Sequence, residues 1–300
     1  MTAVRQQIIK LKGELTSWRP FKEGWGIGQL RTDRAELVPL TGKLIGARIG
    51  DTLDLVGAWD EHPRYGRQFK VRECTVARPE SADGIIAWLA STLPDIGEGR
   101  ARALVERYGD QLWHVIETAH EALAAVDGIT PKRAEAIYEA YMKHRADRDN
   151  MIRLRGWGLT DTQIARCIEV WGHVSDVVEH VHANPYQLSQ HVHGFGFVRA
   201  DKVATKAGIA HDAPERLQAG VEHEISEAAS AGHCYVSGAA LQKMAAKLLD
   251  VDATKIPKAI LAAASSGRVV RNGWRIYARQ LDAAERACAE SIGRLLAGAA

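Results

Sequence analysis

The chain holds 300 residues with 39 Lys and Arg against 37 Asp and Glu, a net charge of +2, which predicts two or three domains and excludes a protein that coats a polyanion by bulk charge. No run of about eighteen apolar residues is present to cross a membrane as a helix. Cys74, Cys167, Cys234 and Cys288 lack metal-ligand or redox spacing, and Arg5 and Lys10 around Ile8-Ile9 lack the apolar core of a signal peptide, so a reducing cytoplasm is the expected compartment.

Residues 1–78 carry 14 basic and 9 acidic side chains and are punctuated by Gly13, Gly24, Gly26, Gly28, Gly42, Gly46, Gly50, Gly57 and Gly66. Runs such as Arg48–Gly57 and Gln68–Val76 alternate apolar with polar residues, which is the pattern of half-buried strands joined by tight turns. A small five-stranded β-barrel of the oligonucleotide-binding (OB) type is expected, ending at Arg78-Pro79. Trp25, Tyr65 and Phe69 lie among Arg31, Arg64, Arg67 and Lys70, the residue types that stack on bases and follow phosphates in such barrels. The competing role for these aromatics is the barrel core.

Residues 79–217 change to a helical period, with Ile85, Ile86, Trp88 and Leu89, then Ala101, Leu104, Val105 and Tyr108. Three stretches share one pattern: Leu93-Pro94-Asp95-Ile96-Gly97-Glu98-Gly99-Arg100-Ala101, Val126-Asp127-Gly128-Ile129-Thr130-Pro131-Lys132-Arg133-Ala134, and Val192-His193-Gly194-Phe195-Gly196-Phe197-Val198-Arg199-Ala200. Each predicts a helix-hairpin-helix. The glycines Gly97, Gly99, Gly128, Gly194 and Gly196 permit positive φ and close backbone approach, and free amides at a helix N-terminus beside Arg100, Lys132, Arg133, Arg199 or Lys202 suit a phosphate. Thr130 stands in copy two where glycine is common, and Asp95 does so in copy one, where its charge would repel phosphate. Leu154–Leu159 falls where a weak fourth copy is expected. From residue 79 to 218 the chain has 15 basic and 20 acidic side chains, so any anion binding there rests on placed amides and a few cations rather than on bulk charge.

Residues 218–300 read as helices and a hairpin. Ser237 and Asp252 are the expected N-caps of two helices, Gly267 stops the second, and Asn272-Gly273 predicts a two-residue turn between Arg268–Arg271 and Trp274–Tyr277. Helices followed by a basic hairpin suggest a winged-helix-like end whose Arg268, Arg271 and Arg275 suit duplex phosphates, followed by a helix from Asp282 to about Leu296 and an Ala/Gly tail that looks like a cut or a linker.

Catalytic signals are weak. Thr41-Gly42-Lys43 lacks the upstream glycine of a phosphate-binding loop, and no nucleophile elbow is present. His180, His182, His191 and His193 form two His-x-His pairs without a completing ligand set, so no metal is expected. Asp201 and Lys202, just after the third hairpin, are the nearest candidates for a lyase or glycosylase.

Gly57-Ala58-Trp59-Asp60-Glu61-His62-Pro63-Arg64-Tyr65-Gly66-Arg67-Gln68-Phe69-Lys70-Val71, Asn184-Pro185-Tyr186-Gln187-Leu188 and Gly194–Asp201 resemble the N-terminal half of the long-form RecD-like bacterial DNA helicases, over about Gly13 to Leu296. The resemblance implies an OB-like barrel and helix-hairpin-helix units ahead of a motor that moves 5′ to 3′ on single-stranded DNA with ATP and magnesium. The chain would end where that motor begins, so those cofactors would come only with a motor supplied in cis or by a partner. The expectation is a non-catalytic, membrane-free binder of single-stranded or forked DNA in repair or recombination. The alternative is a protein-docking scaffold, with the hairpins packed internally and Trp157 and Trp171 presented to a repair partner.

Overall fold

The computed structural model describes residues 8–21, 25–93 and 95–298; Arg5, Gly24, Pro94 and the last two alanines of the tail lie outside the described residues. The chain divides into two units, residues 1–179 and 180–300.

In the first unit, five strands form a closed barrel in the order β1-β2-β3-β5-β4: β1 (Ile9–Pro20), β2 (Trp25–Thr32), β3 (Leu37–Lys43), β4 (Thr52–His62) and β5 (Gly66–Ala77). All neighbours are antiparallel except β3 and β5, which pair in parallel at Leu40↔Phe69, and this closure is the OB topology. The period-two alternation turns Leu15, Leu30, Val38, Leu40, Leu53, Leu55, Phe69, Val71 and Cys74 into one core. Arg48–Asp51, expected as the start of a strand, is a turn in which the Arg48 amide donates to the Asp51 carboxylate at 2.8 Å. Burial pushes the Cys74 thiol up to about 12, the response of an acid that must ionise in an apolar interior.

Six helices follow: α1 (Ala82–Thr92), α2 (Glu98–Tyr108), α3 (Leu112–Thr118), α4 (Pro131–Gly156), α5 (Asp161–Trp171) and α6 (Val174–Ala183), the last straddling the division between the units. Ser81 caps α1 by accepting from the Gly84 amide at 2.8 Å. Trp88, Trp113 and Tyr141 pack ring on ring at the centre of this helical core, and the Trp113 indole donates to the Pro79 carbonyl at 3.2 Å. Two buried polar groups hold the helices against the barrel. The Asp161 carboxylate accepts from the Cys74 amide at 3.0 Å and from Arg155 at 2.8 Å, and His144 Nε2 lies 3.1 Å from Asp51 Oδ2.

The second unit contains α7 (Gln187–His191), α8 (Phe197–Lys206), α9 (Pro214–Ser230), β6 (Tyr235–Ser237), α10 (Gly238–Leu249), α11 (Ile256–Ser265), β7 (Val269–Asn272), β8 (Arg275–Ala278) and α12 (Arg279–Gly298). A three-stranded sheet of order β6-β8-β7 packed with α9, α10 and α11 makes this a winged-helix arrangement. Ser237 caps α10 as expected, whereas Asp252 caps a short 3-10 turn, Ala253–Lys255, that leads into α11. The turn between β7 and β8 is displaced by one residue from the expected Asn272-Gly273. Asn272 pairs with Arg275, so Gly273 and Trp274 form the loop, with φ of 61° at Gly273. Glycine at the first central position with only that residue at positive φ is the pattern of a type II′ turn.

Candidate nucleic-acid interface

One face of the barrel carries a groove of about 940 Å³ between the β1–β2 and β4–β5 hairpins. Phe21, Trp25 and Tyr65 line it while remaining 49%, 42% and 66% exposed. Such exposure of three large rings in one concave site is unusual for a surface whose apolar area is normally dispersed. The Phe21 and Trp25 rings lie 5.7 Å apart, and the His62 ring lies tilted beside Tyr65 at 4.8 Å. Cations accompany the rings: the Arg19 guanidinium sits 5.8 Å from the Phe21 centroid, Arg64 5.5 Å from Tyr65, and Lys70 lines the floor. Flat apolar faces interleaved with positive charge can take successive planar, anionic units.

The sequence candidates in the barrel divide into two sets. Trp25 and Tyr65 line the groove with Arg64 over the Tyr65 ring, and Arg67 lies over the Trp59 ring at 4.1 Å, on the same hairpin. Phe69 is fully buried in the barrel core and offers no stacking face, because in β5 it points inward while Lys70 points outward. Arg31 is held by the Glu14 carboxylate at 2.7 Å. Phe21 and Arg19 were missed. The signal available was their place at the strand end directly across the turn from Trp25, since Pro20 pairs with Gly26.

All three helix-hairpin-helix copies form, between α1 and α2, before α4, and between α7 and α8. Gly97, Thr130 and Gly196 occupy the same position, the N-cap of the second helix, in ordinary extended conformation. Gly99 lies inside the first turn of α2, so it is helical rather than part of the hairpin. Positive φ belongs to Gly128 and Gly194, at 80° and 81°, values that L side chains adopt only at a cost. Ile129 and Phe195 beside them are buried as pins that fix the hairpin, and Ala134 and Ala200 let the helices meet.

The arginines do a job that the sequence did not signal. Arg100 donates to the Asp95 carbonyl at 3.1 Å, Arg133 to Gly128 at 3.0 Å and Arg199 to Gly194 at 2.8 Å. In every copy the third residue of the second helix reaches back five residues to close its own hairpin. Lys132 is exposed on the first turn of α4, and Lys202 is exposed on the second turn of α8. A weaker fourth turn runs from Gly156 to Thr160, with φ of 90° at Gly158 and a full capping box from Thr160 and Gln163, but with Gln163 where the other copies have arginine.

Elsewhere, Asp201 accepts from the Tyr186 hydroxyl at 2.7 Å and from Arg216 at 2.8 and 3.0 Å. Burial, followed by that carboxylate, pushes the Tyr186 hydroxyl pKa upward. Asp201 is therefore a structural anchor, and Lys202 sits on an exposed helix face rather than in the desolvated pocket that a nucleophilic lysine needs. His180 and His182 lie on α6, with His180 Nδ1 2.9 Å from Gln187, while His191 ends α7 and His193 is in the third hairpin. Among the described residues, no three His, Cys, Asp or Glu side chains gather as a metal would require. Trp157 and Trp171 are half-buried. Among the described residues no helix is long and apolar enough to cross a membrane.

Comparison with known proteins coincides with this architecture. Residues 10–79 match the family model of the OB-fold domain of the ATP-dependent DNA helicase YrrC, and residues 143–235 match that of the helix-hairpin-helix domain of ATP-dependent RecD2 DNA helicases. The second match spans the fourth turn and the third hairpin; the first two hairpins lie outside it. The ATP-dependent RecD2 DNA helicase of Deinococcus radiodurans is 25% identical over 236 residues, which cover 77% of this chain and 33% of that protein. The chain thus spans about a third of the length of this relative.

Proposed function

We propose that this chain, an N-terminal region of the RecD2-like helicase kind with its OB-fold and helix-hairpin-helix domains, binds DNA without regard to sequence and presents it to a helicase motor. The observation that carries this reading is the barrel groove, where Phe21, Trp25 and Tyr65 stand exposed among Arg19, Arg64 and Lys70. A single strand laid along it stacks bases on the rings, which have a face for every base, and sets its phosphates against the cations. Gly128, Thr130 and Lys132 of the second hairpin, and Gly194, Gly196 and Lys202 of the third, supply amides and ammonium groups for further phosphates.

In this reading the chain's own residues perform no chemistry. ATP and magnesium belong to a motor, in cis or as a partner, and the setting is DNA repair or recombination in the bacterial cytoplasm, with forked or single-stranded DNA as the ligand. The test is fluorescence anisotropy with a labelled oligo-dT. Because Trp25 and Tyr65 are exposed, replacing both by Ala should leave the thermal midpoint in place and weaken binding by about 10- to 100-fold, the value of one or two lost stacks. Unchanged affinity in that double variant removes the groove from the interface and moves the binding to the hairpins, whereas a wild type that binds no oligo-dT at low salt leaves the docking-scaffold reading in its place.

A further inference from the structure

The barrel groove is not the only exposed aromatic and cationic site. In the second unit, the type II′ turn of the β7–β8 hairpin puts Trp274 at its tip, 59% exposed, and the β6 strand beside it presents Tyr235 at 39%. The two rings meet edge to face at 5.5 Å. The Arg275 guanidinium lies 5.0 Å from the centroid of each, and Tyr235 also touches Tyr277 at 5.5 Å. This cluster is organised in advance. Its tryptophan is held in place by neighbours yet packs into no core, which is a costly arrangement for a residue type that normally buries most of its surface.

Charge narrows what such a site can hold. The stretch Arg268–Arg279, which is the β7–β8 hairpin with one residue at each end, carries four arginines and no carboxylate in its own sequence, while Glu285 of α12 acts on Arg275. Arg268 is paired with Glu222 at 3.0 Å, and Arg271 folds its Nε onto the Gly273 carbonyl at 3.1 Å, which fixes its guanidinium beside the tip. By contrast α11, the helix that precedes the hairpin, contributes one basic side chain, Lys258. A polyanion with a flat apolar face is the complementary partner.

We infer that this wing is a second DNA site, one in which Trp274 stacks on the terminal base pair of a duplex while Arg271 and Arg275 hold the phosphates that flank it. The geometry favours a duplex end over a single strand. A single strand is held by several platforms in series, whereas the wing offers one ring at its tip, Trp274, with Tyr235 edge-on beside it, and the end of a duplex is where a stacked helix exposes one face. Arg271 and Arg275 come from the two antiparallel strands and, by register, from opposite faces of the hairpin, so a cation is available on each side of the tip. The inference takes from the preceding reading only that DNA is the ligand.

The experiment uses the full chain with a short blunt duplex carrying 2-aminopurine at its terminal or its central position, alongside single-stranded oligo-dT. Binding of the wild type should change the fluorescence of the terminal probe and leave the central probe unaltered. Trp274→Ala should abolish the terminal change and weaken duplex affinity about tenfold, as expected for one lost stack, with oligo-dT affinity unchanged. Closing both duplex ends with loops should weaken wild-type binding as much. Because Trp274 is at a turn tip, Trp274→Phe provides a conservative control and should restore part of the duplex affinity. If the alanine variant binds the blunt duplex as the wild type does, or if looped ends bind equally well, the wing assignment is overturned while the barrel reading stands. Loss of oligo-dT binding in the Trp25/Tyr65 variant without loss of duplex binding separates the two sites; a wild type that binds duplex ends through Trp274 but not oligo-dT overturns the barrel reading alone.

Discussion

The arginine at the third position of each second helix shows how a residue can match a binding motif and yet serve the fold. Arg100, Arg133 and Arg199 each close the hairpin behind them by donating to a carbonyl five residues back. A guanidinium has five donors, so one bond to a carbonyl leaves the rest for a phosphate, but the bond fixes where those donors point. Lys132, one position earlier and exposed, has no such role. The pair is therefore separable. Lys132→Ala should weaken DNA binding by a few fold at low salt and leave thermal stability unchanged. Arg133→Ala should weaken binding and also lower stability by about 1 kcal/mol, the net worth of an ordinary intramolecular hydrogen bond. Anisotropy and urea titrations on the two variants check this; equal stability in both would mean that the carbonyl bond contributes nothing to the hairpin.

At the scale of elements, the barrel was legible because its signals are local: glycine-spaced runs with period two determine strands whatever they pair with. The same alternation that revealed the strands already placed Phe69 inward beside Val71 and Lys70 outward, so its burial follows from register rather than from residue type. The wing turn was less legible. Asn-Gly favours a loop made of those two residues, but β8 must also pair with β6 through Tyr235↔Tyr277 and bury Ile276 and Tyr277, and that long-range demand moves the loop on to Gly273-Trp274. The Arg216 anchor was invisible for the same reason. It reaches from α9 to the Asp201 carboxylate on α8 and to the Leu249 carbonyl at the end of α10, at 2.9 Å, tying the third hairpin to the winged helix in one network. The Asp201 carboxylate in turn raises the Arg216 pKa, so the guanidinium keeps its charge. Arg216→Leu leaves Asp201 without its counter-ion in a mostly buried site, which should cost roughly 3 kcal/mol and lower the thermal midpoint of the second unit; a shift of under a degree would show that the network is dispensable.

Across the whole molecule, charge is spread so evenly that the sites stand out only locally. Residues 1–179 carry 25 Lys and Arg against 26 Asp and Glu, and residues 180–300 carry 14 against 11. A chain of this kind gains little from long-range attraction to a polyanion, so its affinity rests on a small number of close cations and on stacking, which salt does not screen. This sets the form of the salt dependence. If Arg19, Arg64 and Lys70 are the cations that meet a single strand in the groove, log K against log salt should have a slope of about −2, since each phosphate neutralised on a single strand contributes roughly −0.7. Arg19→Ala with Lys70→Ala should bring the slope to less than half of that value. Trp25→Ala should reduce affinity without altering the slope, because an indole releases no counter-ions. Titration of oligo-dT between 50 and 300 mM salt, a range of about sixfold, distinguishes these cases. A wild-type slope steeper than about −5 would require more phosphate contacts than the groove has cations, and would move the main seat of binding to the lysines and amides of the hairpins.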